Sequence, residues 1–173
     1  MNWLEKADLP DCEVVMRWHL GEFGEKDAVK IQREFFRQLA IEKGASHLYF
    51  MGADTIPPLD VIPRLLAHNK PIVGGIYYGR PRAKNGDPKR AVAWKHDDHG
   101  QNFLRKNGLV ELDGMGMDCV LFSREAFSSF SWEDYGVNDD DYPVYDTLRA
   151  KGFKVMLDPS ITCRHYNTAE EYA

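Results

Sequence analysis

Cysteine is scarce in this chain, positive charge is not in excess, and long apolar runs are missing. The three cysteines, Cys12, Cys119 and Cys163, are odd in number and far apart. They offer neither a disulfide framework nor paired metal-ligand spacing, so free thiols in a reducing compartment are expected. A net charge of −5 excludes the basic surface on which general nucleic-acid affinity depends. It leaves open a phosphorylated ligand held through a divalent cation, which brings its own positive charge. No apolar stretch approaches the ~20 residues of a transmembrane helix. The opening residues, Met1 to Lys6, are charged at once and carry no secretory signal. There is no glycine-rich phosphate loop, and Ser123 lacks the flanking glycines of a nucleophile elbow. The expectation is a soluble, cytoplasmic protein with no nucleic-acid partner and no membrane span.

The 173 residues, 43% hydrophobic and 28% charged, suit one domain spanning 1–173. Past the breaker Pro10, Cys12–Trp18 reads as a first strand. From Glu25 to Lys43, Ala28, Ile31, Phe35, Leu39 and Ala40 recur at helical spacing, and Gly44 follows as a stop. Ser46–Met51 is a nearly all-apolar strand of the kind buried in a parallel sheet. A second helix is predicted over Leu59–His68, with Pro58 in its first turn, and a third strand over Pro71–Tyr78. This alternation is that of an α/β sheet. Beyond Arg80 the pattern opens into loops, with short strands at Ala91–Lys95, Leu109–Leu112 and Asp118–Phe122. A helix follows over Asp141–Lys151, with Pro143 in its first turn and Gly152 as its cap, then a strand over Phe153–Leu157 and a tail over Ile161–Tyr166.

Ligands of such sheets bind outside the carboxyl ends of the strands. Asp54 falls there, where a hard cation bridges a carboxylate to a diphosphate, although an Asp before Thr55 and two prolines is also an ordinary turn residue. In Asp139-Asp140-Asp141, mutual repulsion favours a shared proton and suits a general base. Capping of the helix that follows explains the run equally well. His165 offers an imidazole for a divalent ion, or is simply packed. Gly114 and Gly116 permit close backbone approach to a ligand, or make a turn. Tyr77, Tyr78 and Trp94 suit either sugar stacking or the core. The loop His96-Asp97-Asp98-His99 reads as solvated rather than as a metal cluster.

Taken in order, five segments resemble the glycosyltransferase A-type fold, nearest its family 2-like members. Ala45–Pro58 is similar to the strand, Asp-x-Asp metal motif and prolines of that family, with Gly52 at the first acidic position and Asp54 at the second. Lys70–Arg80 is similar to the strand leading to the acceptor side. Leu109–Phe127 resembles the glycine-bearing turn and strand that line the donor sugar, with Asp118 where a glycine is usual. Asp140-Asp141-Tyr142 with Leu148–Val155 lies where the family carries its base, and Cys163–Tyr166 where it carries a late histidine.

The resemblance implies a single-domain, Rossmann-like mixed sheet flanked by helices, without the strand and helix that the family places ahead of Cys12 to bind the base. It implies a metal-dependent, inverting transferase that moves a sugar from a nucleotide-sugar donor to a glycan, lipid or protein acceptor. Asp54 and His165 would hold Mn²⁺ or Mg²⁺. Asp141, with Asp140 beside it, would act as base. Gly114, Gly116, Asp118 and Arg33 would meet the donor. A non-catalytic carbohydrate- or protein-binding relative is the alternative, and homo-oligomerisation through an open sheet edge stays open. All of this requires that residues 54 and 165 converge.

Overall fold

Period-two alternation along the central strands sorts the apolar side chains onto two faces, and helices cover both. The computed structural model describes residues 3–16, 25–79, 90–98, 101–136 and 141–166. Nine strands are seen among them: β1 (His47–Met51), β2 (Thr55–Ile56), β3 (Ile72–Ile76), β4 (Ala93–Trp94), β5 (Val110–Leu112), β6 (Gly114–Met115), β7 (Cys119–Ser123), β8 (Val155–Thr162) and β9 (Arg164–His165). The α-helices are α1 (Glu25–Glu42), α2 (Val61–Ala67), α3 (Arg124–Phe127) and α4 (Tyr142–Ala150). Five strands form one sheet in the order β1–β7–β3–β8–β5. β3 and β8 are parallel, whereas β7 is antiparallel to both its neighbours and β5 is antiparallel to β8. The architecture is therefore α/β, a mixed sheet between helices. Two short ribbons, β2–β9 and β4–β6, stand apart from it.

Ile72, Val120 and Phe122 face a core shared with Ala40 of α1, Ala126 and Phe127 of α3, and Val144, Tyr145 and Leu148 of α4. Their neighbours Val73, Cys119 and Leu121 face the other way, onto Val61, Ile62 and Leu65 of α2. At ~25 cal/mol per Å², fully burying side chains of this size stabilises by roughly 1.5–3 kcal/mol each. β3 is the most enclosed strand, with all five residues buried. A Cβ on its Gly74 would stand 2.6 Å from the Cys119 carbonyl oxygen, so β7 packs this closely only against glycine. Gly44 and Gly152, at φ +70° and +88°, end α1 and α4 in the left-handed conformation that stops a helix. No helix among the described residues is long and apolar enough to cross a membrane.

Four expectations change. Cys12–Met16 forms no strand: it is extended coil with Val14, Val15 and Met16 exposed, while Arg17 and Trp18 lie outside the described residues. Strand-prone residues form a strand only where a ladder partner exists, and here they line a groove of about 570 Å³ beside β1. β1 itself is an edge strand paired antiparallel to β7, with only Phe50 of its five residues buried. Pro58 precedes α2, which begins at Val61.

Finally, α1 buries only part of its expected apolar stripe, with Ala28 and Ala40 inside. Ile31 and Phe35 are exposed, while Glu34 and Arg37 are buried. Arg37 donates to both Glu34 carboxylate oxygens at 2.9 and 2.6 Å, and Glu34 also accepts from the Trp132 amide at 2.9 Å. Burial alone would raise the Glu34 pKa. The bonds from Arg37, Gln38 and Trp132 outweigh it and hold this carboxyl below its ordinary value.

Candidate metal centre

β1 runs out at Met51, and Gly52-Ala53-Asp54 turns the chain into β2, closed by the Thr55 amide donating to the Gly52 carbonyl at 3.2 Å. β9 returns alongside, pairing Thr55 with His165. The Tyr166 amide then donates to the Asp54 carbonyl at 2.8 Å. The ribbon thus brings residues 54 and 165 to one place, with His165 Nε2 standing 3.3 Å from Asp54 Oδ2. The other ring nitrogen, Nδ1, lies 2.9 Å from the Tyr78 carbonyl oxygen. A carbonyl only accepts, so Nδ1 donates to it, which leaves Nε2 facing the carboxylate, where it can donate a proton or ligate a cation. Metal-ligating histidines are commonly oriented in this way. Two acceptors at 3.3 Å repel unless a proton or a cation lies between them.

Asp118 completes the cluster. One ligand atom from each of Asp54, Asp118 and His165 lies within 4.8 Å of the others. Asp118 is fixed one residue ahead of β7, where its carbonyl accepts from the Gly52 amide at 3.3 Å. A Cβ placed on Gly52 would stand 2.7 Å from Asp118 Cγ, inside van der Waals contact. Burial, with the Asp54 charge, lifts the Asp118 pKa against the opposing pull of Arg33 and of the Tyr77 hydroxyl that bonds to it. Thr55 Oγ1, on a residue only 2% exposed, has no hydrogen-bond partner among the described residues. As the cross-strand partner of His165 it lies on the same ribbon face.

Arg33 joins this cluster to α4. Its Nη1 is 2.5 Å from Asp141 Oδ1, and its Nη2 is 4.0 Å from Asp118 Oδ1. Asp141 occupies the N-cap position of α4 without a capping side-chain bond. Asp140 and Asp139 lie outside the described residues. Gly114 and Gly116 are both buried, and the space above each is filled: a Cβ on Gly114 would meet the Trp94 ring at 2.2 Å, and one on Gly116 the Tyr77 hydroxyl at 1.8 Å. Trp94, seated on Gly114, stacks on Tyr142 with ring centroids 4.1 Å apart and planes at 25°. Tyr142, next to Asp141, is 61% exposed.

No protein-family model matches this chain, and no curated protein does. The fold is similar to that of A197 from STIV. That crystal structure aligns at a TM-score of 0.59 and 17% identity, covering 81% of this chain and 68% of that one. At this identity the likeness to A197 is one of fold alone.

Tyr77, read as a stacking or a core residue, is buried in the core with its hydroxyl toward Asp118. Two participants escaped the sequence: Tyr142 supplies the exposed aromatic face, and Thr55 carries an orphan hydroxyl. Of these only Thr55, adjacent to Asp54, had a signal in its position. In the loop at 96–99, His96 Nδ1 and amide both bond Asp113 Oδ2, at 2.8 and 2.6 Å. Asp98 accepts from the Asn102 and Phe103 amides at 3.0 and 2.8 Å. These two side chains tie down the loop, and His99 lies outside the described residues.

Proposed function

We propose that this chain is a metal-dependent glycosyltransferase of the A type, moving a sugar from a nucleotide-sugar donor to an acceptor hydroxyl. The observation that carries the reading is the convergence of Asp54 and His165 at the rim of the sheet, with the histidine ring oriented by Tyr78. Two hard carboxylates, one imidazole and a nearby orphan hydroxyl suit Mn²⁺ or Mg²⁺. Asp54 and His165 would hold the ion, which when bound neutralises the charge that grows on a leaving diphosphate.

The protein's own groups do the rest. Asp141, oriented by Arg33, takes the acceptor hydroxyl proton as that oxygen bonds to the anomeric carbon. The bond from that carbon to the diphosphate oxygen breaks as the new one forms, and a single displacement inverts the centre. Tyr142 on Trp94 offers an aromatic face beside the base for the acceptor ring. Gly114 and Gly116 serve the pocket by seating Trp94 and Tyr77.

A carbohydrate-binding domain without transfer activity is the second reading. The Arg33–Asp141 ion pair favours it, because Oδ1 of the proposed base is already engaged. Thermal unfolding with Mn²⁺ and each of UDP, GDP and their sugar derivatives separates the two. Ligand at 100 times its dissociation constant adds about 2.7 kcal/mol. The transferase reading expects a Mn²⁺-dependent shift with one nucleotide, lost in Asp54→Ala, together with release of that nucleotide from its sugar. A shift with glycans alone supports the binding domain, and no response to Mn²⁺ with any nucleotide sinks the transferase.

A further inference from the structure

We infer that Asp118 is the third cation ligand, supplying from the start of β7 the carboxylate that position 52 does not carry. The inference rests on the metal site of the proposed transferase and adds a residue to it. Its ground is steric. Gly52 and Asp118 are hydrogen-bonded neighbours across the β1–β7 pairing, and the register Met51↔Cys119 sets them side by side. The position that a Cβ of residue 52 would take lies 2.7 Å from Asp118 Cγ, 3.0 Å from its Cβ and 3.0 Å from its Oδ1. One small volume therefore has room for a side chain from one of the two residues, and in this chain residue 118 fills it with a carboxylate.

That carboxylate is placed for coordination. With metal–oxygen distances of about 2.1 Å, cis ligands of an octahedral ion stand about 3 Å apart and trans ligands about 4.2 Å. Asp54 Oδ2 and His165 Nε2, at 3.3 Å, match a cis pair. The third ligand atom, from Asp118, falls within 4.8 Å of both, so all three face one volume of the size an ion occupies. The Tyr77 hydroxyl bonded to Asp118, itself lodged against Gly116, fixes the carboxylate from behind. Thr55 Oγ1 is a buried, unpartnered oxygen on the His165 face of the ribbon, a second sign that something polar is still to enter here.

The test exchanges the two residues. Mn²⁺ affinity, read by electron paramagnetic resonance of free Mn²⁺ in the presence of UDP, is compared for the wild type, Asp118→Asn, Gly52→Asp, and the double variant Gly52→Asp with Asp118→Gly. Near-UV circular dichroism checks the fold of each. Asp118→Asn keeps the shape and is expected to weaken Mn²⁺ by about 10–100-fold or more. Gly52→Asp alone crowds Asp118 and should also lose binding. The double variant returns the carboxylate to the same volume from the other strand and is expected to recover affinity to within about threefold, a recovery that a merely structural role for Asp118 would not give. Wild-type affinity in folded Asp118→Asn, or no recovery in the folded double variant, overturns the inference while leaving the Asp54–His165 site standing. Absence of Mn²⁺ binding by the wild type overturns both.

Discussion

The guanidinium of Arg33, in the middle of α1, closes to 2.5 Å on the carboxylate of Asp141 at the head of α4. Their side chains are 13% and 19% exposed, and the other guanidinium nitrogen reaches toward Asp118. One cation thus stands between the proposed base and the proposed metal ligands. It couples two elements far apart in the chain to the same site. The same Arg33 that was expected to meet the donor makes its close contact here with Asp141.

Arg33→Ala should leave two half-enclosed carboxylates without their shared cation. Removing one partner of a buried pair costs about 3–5 kcal/mol, and partial exposure here places the effect at the low end. At ~2–4 °C per kcal/mol for a chain of this size, Tm should fall by about 6–12 °C. Arg33→Lys keeps the charge but lacks the planar fork that addresses two carboxylates, so it should recover part of the loss. Calorimetry of both variants decides it. A Tm for Arg33→Ala within 2 °C of wild type means that the ion pair carries no weight.

A pH dependence follows from the far end of the sheet. Asp158, buried near the middle of β8, accepts from His68 at 2.9 Å and from the Ser160 amide and hydroxyl at 2.8 and 2.5 Å. Burial works to raise its pKa, but these bonds and the charge of His68 prevail and hold it below the ordinary carboxylate value. A depressed folded pKa contributes stability that is complete above the unfolded pKa of about 3.9 and fades as pH falls through the folded value. Asp158→Asn should therefore lose roughly 1.5–3 kcal/mol at pH 7, and the gap to wild type should narrow below pH 4. Urea unfolding at pH 7 and pH 3.5 measures it. An unchanged gap rules out this ionic contribution.

Order and type of most elements were legible because they depend on local pattern. The apolar runs at 47–51, 72–76 and 119–123 are strands, and Gly44 and Gly152 stop the helices they follow, whereas the strand expected to end at Leu157 continues through Asp158-Pro159 to Thr162. The inward face of α1 was legible only in part. Apolar periodicity was right at Ala28 and Ala40 but also pointed to Ile31 and Phe35, which are exposed, whereas Glu34 and Arg37 are buried because they satisfy each other and the Trp132 amide. The absent strand at Cys12 shows the same limit, because propensity does not provide a ladder partner. In the site, Asp54 and His165 could be matched by their order along the chain. That Asp118 fills the volume beside Gly52 follows only from the β1–β7 register, a non-local fact that no spacing along the chain encodes.

Gly74→Ala tests how tightly that sheet is drawn together. The added Cβ would stand 2.5 Å from Met115 Sδ and 2.6 Å from the Cys119 carbonyl oxygen. The thioether can swing away, whereas the carbonyl belongs to a ladder strand and cannot move alone. Overpacking of this kind costs typically 1–3 kcal/mol, and the backbone contact places it at the upper end. The midpoint in guanidinium chloride should fall accordingly with little change in slope. A midpoint equal to wild type shows that β3 and β7 separate without penalty.

Tyr142→Ala bears on the acceptor rather than on the fold. The ring is 61% exposed and rests on Trp94, which is held in place by Gly114 beneath it and by an edge contact to Tyr145 at 5.8 Å. Removing an exposed ring leaves that support intact, so the loss of stability should be small, about 1 kcal/mol or less. Loss of an aromatic contact worth about 1.4 kcal/mol weakens binding about tenfold. In the proposed transfer this falls on the acceptor: its KM should rise about tenfold, with donor KM and Mn²⁺ affinity unchanged, and Tyr142→Phe should restore it. Initial rates with acceptor varied at saturating donor, then donor varied at fixed acceptor, separate the two. If Tyr142→Ala shifts the donor KM and leaves the acceptor KM alone, the aromatic face belongs to the donor side of the pocket and Asp141 is flanked by the wrong substrate to act as base.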